Sequence, residues 1–141
     1  NYRLEGIQGA ILRVKLHHLE AWTEARRAHA ANYTALLAGS HYPTPTVAPD
    51  VRHVYHIYAV RTQHRPAVQQ ALHELGIQTG IHYPIPVHLL PAYADLGYQP
   101  GDFPCAEQAA NEVLSLPMYP ELSAEQVARV AAALCDEVYV R

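Results

Sequence analysis

The feature that most constrains this chain is a long amino-terminal segment that keeps one helical phase. Its large apolar residues recur at three- and four-residue spacing: Leu4, Ile7, Ile11 and Val14. The first of the eleven prolines is Pro43, so the pattern predicts one helix over 1–38 that ends at Gly39. At about 1.5 Å per residue, such a helix would be roughly 50 Å long and would extend beyond a domain of this size. A helix bent or broken near His17 and His18 is the alternative.

The sequence after residue 38 alternates short segments of β and α type. Three segments have strand character, and the last of them is predicted as an edge strand closed by Pro117: 52–60, 77–84 and 114–120. Between them, Pro66 and Gly76 bracket a short helix, another helix is predicted over 105–112, and Ser123 with Gln126 forms a capping box before the last one. The predicted fold class is α+β, a small antiparallel sheet flanked by helices and preceded by a long helix.

Composition and charge restrict the class of partner. Half of the residues are hydrophobic, 16% are charged and the net charge is -3, which is typical of a globular domain without a basic stripe for nucleic acid. With neither a long apolar run nor a signal peptide in the sequence, we expect no membrane partner and a cytoplasmic location. Cys105 and Cys135 lie in predicted helices and are expected to be reduced, buried thiols.

The ten histidines do not predict a metal site. His53 and His56 would lie on opposite faces of a strand, and the adjacent His17 and His18 would point about 100° apart on a helix. His82 and His88 could converge across a turn, but the sequence offers them no further ligands. We therefore expect no bound metal.

The segment "HYPIPVHLLPAY" (82–93) is the best candidate for a binding loop. Three prolines restrict its backbone, so its imidazole and phenol groups would form a fixed array that suits a polyol such as a sugar: His82, Tyr83, His88 and Tyr93. The alternative is an ordered loop whose rings pack on their own domain.

Four segments together resemble a known family. "NYRLEGIQGAILRVKL", "VYHIYAV", "LGIQTGIHYPIPVHLLPAY" and "GDFPCAEQAANEVLSLPMYPELSAEQV" are similar, in this order, to the carboxyl-terminal part of the DegT/DnrJ/EryC1/StrS family. These proteins are pyridoxal-phosphate-dependent aminotransferases that act on nucleotide-linked keto sugars. The resemblance implies the small carboxyl-terminal domain of a fold type I aminotransferase over 39–141, with 1–38 as the helix that joins it to the large domain and contributes to a homodimer.

The resemblance also implies roles for particular residues. Asn1 would reach the phosphate of the partner subunit's cofactor, and Arg3 would bind an anion there or form an ion pair that fixes the helix start. His82, Tyr83 and His88 would line the cleft for the nucleotide-linked keto sugar and form hydrogen bonds with it. An amino donor, glutamate, would be the second substrate.

The chain departs from the family at the catalytic lysine. The lysine that binds the cofactor covalently is expected upstream of Asn1 in the family, and Lys15 is the only lysine here. We therefore expect that the cofactor-carrying domain is absent from these 141 residues, that they contain no catalytic residue, and that they are inactive alone. The keto sugar, its carbon position and the nucleotide stay open, as does the branch of lysine-less dehydratases. The competing hypothesis is a free-standing, non-catalytic α+β module that binds a sugar nucleotide or a partner protein.

Overall fold

A computed structural model describes residues 3–137 and confirms the α+β fold class. The elements in chain order are α1 (Gly6–Leu16), α2 (Leu19–Leu36), β1 (Tyr58–Arg61), α3 (Arg65–Glu74), α4 (Pro104–Glu112), β2 (Val113–Leu116) and α5 (Ala124–Glu137). Two short 3₁₀ helices, Val87–Leu89 and Pro91–Leu96, lie in the loop before α4.

The long amino-terminal helix is interrupted, as the alternative prediction had it. The His17 N–H donates to the Val14 carbonyl (3.3 Å) and the His18 N–H to the Lys15 carbonyl (3.0 Å). These bonds span three residues instead of four and close the last turn of α1. The next helix, α2, starts at Leu19.

The sheet differs from the predicted one in its order. β1 pairs antiparallel with β2, from Tyr58 opposite Leu116 to Arg61 opposite Val113. On its other side, Ser115 exchanges two backbone hydrogen bonds with Gly80, of 3.0 and 2.8 Å. The prediction that the third segment is an edge strand is therefore wrong, since β2 lies between β1 and Gly80. The predicted strand 77–84 contributes only this single bridge.

The predicted strand 52–60 is also shorter than its composition indicated, because its first half adopts turn-like backbone. Tyr55 has a φ of 47°, which an extended strand does not allow. The Tyr55 N–H donates to His53 Nδ1 (2.9 Å), and Arg27 on α2 donates to the His53 carbonyl (3.0 Å). Local and side-chain hydrogen bonds thus replace a ladder until Tyr58.

The core lies between the sheet, α2, α3 and α5. α2 contributes Ala30 and Tyr33, and Leu37 follows directly after it; all three pack in the same buried cluster as Val127 and Leu134 of α5. α1 has no buried residue, and the exposed fractions of Leu4, Ile7 and Ile11 are 69%, 76% and 56%. α2 is therefore part of the domain core, whereas α1 extends from it.

The helix ends confirm the predicted signals. Pro66 lies in the first turn of α3, and Gly76 follows that helix with a φ of 74°, the left-handed conformation common after a helix. Before α5, the Gln126 N–H donates to Ser123 Oγ (3.2 Å), and Gln126 Oε1 accepts from the Ser123 N–H (2.9 Å).

Two further findings concern the cysteines and the helix lengths. Cys105 and Cys135 are both free and exposed, so the prediction that they are buried is wrong: each lies on the outward face of its helix. Within residues 3–137, no helix has the length and apolar character needed to cross a membrane.

Candidate functional site

The candidate site starts where the chain leaves its bridge to β2. His82 follows Gly80 by two residues, and its Nδ1 lies 2.9 Å from Ser115 Oγ on the strand. Tyr83, the next residue, is 72% exposed. The sheet thus holds the imidazole, while the adjacent phenol ring is largely exposed and contacts the imidazole edge-on, with centroids 5.6 Å apart.

Gly80 is required by the position of the His82 ring. A Cβ placed on Gly80 would lie 2.7 Å from His82 Cε1, far inside van der Waals contact. The imidazole therefore lies directly against the backbone of the residue that pairs with Ser115. Glycine is the only residue that leaves room for it there.

His88 is held by a different element. Its Nε2 lies 3.1 Å from Glu107 Oε1 on α4, and its side chain is only 8% exposed. The ring of Phe103 packs against the imidazole with centroids 4.8 Å apart. His88 is thus oriented by a carboxylate and an aromatic ring of the same loop and helix.

Glu107 also binds the loop that precedes α4. It accepts hydrogen bonds from the backbone N–H groups of Gly101 (2.8 Å) and Phe103 (3.3 Å). The bond from the Gly101 N–H is the main reason that the pKa of Glu107 lies below 4.5, its usual value, with smaller contributions from Phe103 and His88. One carboxylate therefore joins the segment 101–103 to the first 3₁₀ helix.

The structure places the predicted loop residues on two supports. His82 is attached to β2 and His88 to α4, while Tyr83 and Tyr93 are exposed. Sequence reasoning missed the two supporting residues. The available signals were a single polar residue inside the apolar strand "LSL" for Ser115, and an acidic residue in the first turn of a helix for Glu107.

Of the two amino-terminal candidates, the structure describes only Arg3. Arg3 is exposed, and Asn1 is outside the described residues. Lys15 is exposed on α1, with its Nζ 5.9 Å from the centroid of the Trp22 ring. Lys15 is thus exposed to solvent and packs against the face of an indole ring.

Among residues 3–137, no three side chains of His, Cys, Asp or Glu come together in a way that could hold an ion. The histidines of the loop have other partners, Ser115 and Glu107.

Solved structures that share this α+β unit define its class, the aminotransferases. The crystal structure of DesV from Streptomyces venezuelae superimposes with a TM-score of 0.92 and 43% identity, over 97% of this chain and 37% of that one. A DegT DnrJ EryC1 StrS aminotransferase from Brucella abortus gives a TM-score of 0.85 and 32% identity, over 94% and 35% of the two chains.

The sequence profile of the DegT/DnrJ/EryC1/StrS aminotransferase family matches residues 1–135, and the chain belongs to this family. A pleiotropic regulatory protein of Geobacillus stearothermophilus is 48% identical, over 96% of this chain and 37% of its own length. A dTDP-3-amino-3,4,6-trideoxy-alpha-D-glucose transaminase of Streptomyces venezuelae is 44% identical, over 95% and 36%. The chain thus spans little more than a third of the curated relatives that it matches.

Proposed function

We propose that these residues are the carboxyl-terminal portion of a pyridoxal-phosphate-dependent aminotransferase. The complete protein would transfer an amino group from glutamate to a nucleotide-linked keto sugar. One observation carries the proposal: residues 1–135 match the family. Relatives in this comparison are named as aminotransferases of dTDP- and UDP-linked sugars. The protein would act as a cytoplasmic homodimer.

Different parts of the complete protein would have different roles. The cofactor, when bound, supplies the electron sink for amino transfer, and the protein upstream of Asn1 would hold it covalently. Asn1 and Arg3 would bind its phosphate across the dimer interface through an amide and a guanidinium. Segment 1–38 would join the large domain to the small domain 39–141. α1 has no buried residue and is the part free to contact the large domain, whereas α2 also packs in the core of the small domain.

The loop would bind the sugar nucleotide by hydrogen bonds. His82 and Tyr83 are exposed next to the sheet. His88 has its Nε2 occupied by Glu107, so Nδ1 is the atom that can bind a substrate hydroxyl. We assign these three residues to substrate binding rather than to proton transfer, and we assign no catalytic residue to this chain.

The test is an assay of the full-length protein from which these residues come. With glutamate as donor, it should aminate dTDP- or UDP-linked keto sugars, whereas the 141 residues alone should not. His88→Ala should raise the KM for the sugar nucleotide by a factor equivalent to about 1–3 kcal/mol and leave cofactor loading unchanged.

The matched control is His73→Ala, which removes an exposed imidazole from α3. It should leave KM and turnover as they are. A full-length protein that binds the cofactor but aminates no keto sugar would contradict the proposed function. Unchanged kinetics for His88→Ala would remove only that residue from the substrate site.

A further inference from the structure

Ser115 is buried on the side of the sheet that does not face the core. Leu114 and Leu116 contribute to the buried apolar cluster, and alternate strand residues point to opposite faces. Ser115 lies between them and is still only 5% exposed. Both of its backbone hydrogen bonds go to Gly80. Its side chain therefore lies close to the segment that leads from Gly80 to His82.

The hydroxyl of Ser115 has one hydrogen-bond partner within residues 3–137, the Nδ1 of His82 at 2.9 Å. If Nδ1 carried the proton, it would donate to Oγ, and the hydroxyl hydrogen would be buried without an acceptor. Such a group is unfavourable in a protein interior. The hydroxyl therefore donates, and the neutral imidazole carries its proton on Nε2.

We infer that Ser115 is a positioning residue that holds His82 in the Nε2–H form, so that His82 offers the substrate a donor. Nε2 forms no hydrogen bond within residues 3–137, and the residue is exposed. The matching group on the ligand is an acceptor oxygen, such as the keto oxygen or a diphosphate oxygen. This inference rests on the proposed function for the identity of the ligand, but the protonation of the ring does not depend on it.

Gly80 completes the arrangement. A methyl group on Gly80 would lie 2.7 Å from Cε1 and 3.4 Å from Nδ1 of His82, so the ring would have to move to make room for it. Gly80 does not adopt a positive φ, so alanine is compatible with the backbone. Gly80→Ala therefore displaces the ring of His82 without changing the hydroxyl of Ser115.

The first test is the ¹⁵N spectrum of the histidine side chains in the full 141-residue chain at about pH 8.5, where imidazoles are neutral. The spectrum of His82→Gln assigns the signals. We expect a pyridine-type shift for Nδ1 and a pyrrole-type shift for Nε2. In Ser115→Ala the two shifts should move towards each other, and Ser115→Thr should restore them. A pyrrole-type Nδ1 in the unsubstituted chain would overturn the inference.

The second test measures sugar-nucleotide kinetics in the full-length protein. Ser115→Ala and Gly80→Ala should each raise KM on the order of fivefold, the loss of one neutral hydrogen bond, with cofactor loading unchanged. Ser115→Thr should recover the original KM. The control is Ser40→Ala. Within residues 3–137, the Ser40 hydroxyl accepts only from the Tyr42 N–H, so this variant should leave KM unchanged.

The two tests separate the two claims. If the unsubstituted protein aminates no sugar, the proposed function fails and the ¹⁵N result still decides the protonation of His82. If the protein is active but KM is unchanged in both Ser115→Ala and Gly80→Ala, the inference fails alone. Gly80→Ala also decides the question if Ser115→Ala does not fold.

Discussion

At the residue scale, Glu107 determines the order of the loop before α4. Its carboxylate accepts from two backbone amides and lies against the imidazole of His88. Hydrogen bonds to the charged form lower the pKa of the carboxyl. The loop and His88 are therefore linked to one ionisation.

This ionisation predicts a pH dependence. At pH values above 4.5, the usual pKa of a glutamate, the charged carboxyl of Glu107 stabilises the folded loop. This contribution is lost as the pH falls through the lowered pKa. The amide chemical shifts of Gly101 and Phe103 should therefore titrate with a midpoint below 4.5. NMR titration between pH 2 and 6 measures this.

In Glu107→Gln the same amides should exchange with solvent faster and show no acidic titration. Glu121→Gln, which changes an exposed carboxyl, should leave both amides as they are. A midpoint at or above the usual value would show that the amides do not stabilise the carboxylate.

Sequence reasoning proposed ligand-type residues for the candidate site but did not identify the residues that hold them. His82, Tyr83 and His88 were proposed because Pro84, Pro86 and several ring side chains lie within a few positions of each other. Ser115 and Glu107 lie 33 and 19 residues from their histidines, so their pairing depends on the sheet and on α4. A single sequence does not contain that distance information.

At the scale of elements, side chains of α2 form hydrogen bonds with the segment that follows β2. Pro117 ends the strand, so the carbonyls from this residue onward have no partner on a neighbouring strand. Side chains of α2 bind them instead: Tyr33 Oη donates to Pro117 (3.1 Å), Arg26 Nη1 to Met118 (2.7 Å) and His29 Nε2 to Pro120 (3.2 Å). These three residues lie on one face of the helix.

Removal of one of these bonds should destabilise the domain. Tyr33 is fully buried, and burial raises the pKa of its phenol. Because its hydroxyl donates to the Pro117 carbonyl, Tyr33→Phe leaves that carbonyl without this partner. We expect a loss of about 1 kcal/mol in the free energy of unfolding, measured by urea denaturation. Tyr119→Phe is the matched control, because Tyr119 is 41% exposed, and it should change stability by less than about 0.5 kcal/mol.

The apolar side chains of α1 predict self-association of the isolated chain. Each large side chain that leaves water contributes roughly 1.5–3 kcal/mol, and Ile7 and Ile11 lie on one stripe of the helix. Sedimentation should show concentration-dependent oligomers. In a separate fluorescence measurement, the chain should bind a hydrophobic dye. The double variant Ile7→Asp with Ile11→Asp should reduce both.

Arg13→Asp is the matched control for this double variant. It changes the net charge by the same two units but lies outside the stripe, so the oligomers should persist. A monomer at all concentrations in the unsubstituted chain would show that α1 does not require a covering partner.

The elements themselves were predictable to different degrees. Helices α3 and α5 were predicted from proline, glycine and capping residues, which act within one turn, and α4 was predicted over 105–112. The strands were overpredicted, because β-branched composition does not reveal the positive φ of Tyr55 or the carbonyl of His53 that Arg27 binds. The interruption at His17 and His18 was only one of two alternatives, since neither residue is a strong helix breaker.

At the scale of the whole molecule, the position of Lys15 predicts the behaviour of the chain towards its expected cofactor. Lys15 is exposed on α1, above the ring of Trp22 and outside any enclosed site. Incubation of the 141 residues with pyridoxal phosphate, borohydride reduction and peptide mapping should therefore give no stoichiometric label. Lys15→Arg serves as the control for background labelling.

The full-length protein should be labelled under the same conditions, at a lysine upstream of Asn1. Stoichiometric labelling of Lys15 together with amino transfer by the 141 residues would show that the active centre lies within them. That result would overturn the proposed division between a cofactor-carrying domain and this chain.

The packing of α2 against α5 also sets the order of events during synthesis. Ala30 and Tyr33 share one core with Val127 and Leu134, about a hundred residues later, and contacts of such sequence separation slow folding. While the ribosome is still making α5, at roughly 5–20 residues per second, the apolar face of α2 lacks its partners on that helix. We therefore expect the nascent chain to expose part of this face for several seconds, and the core to close only after residue 134 has emerged.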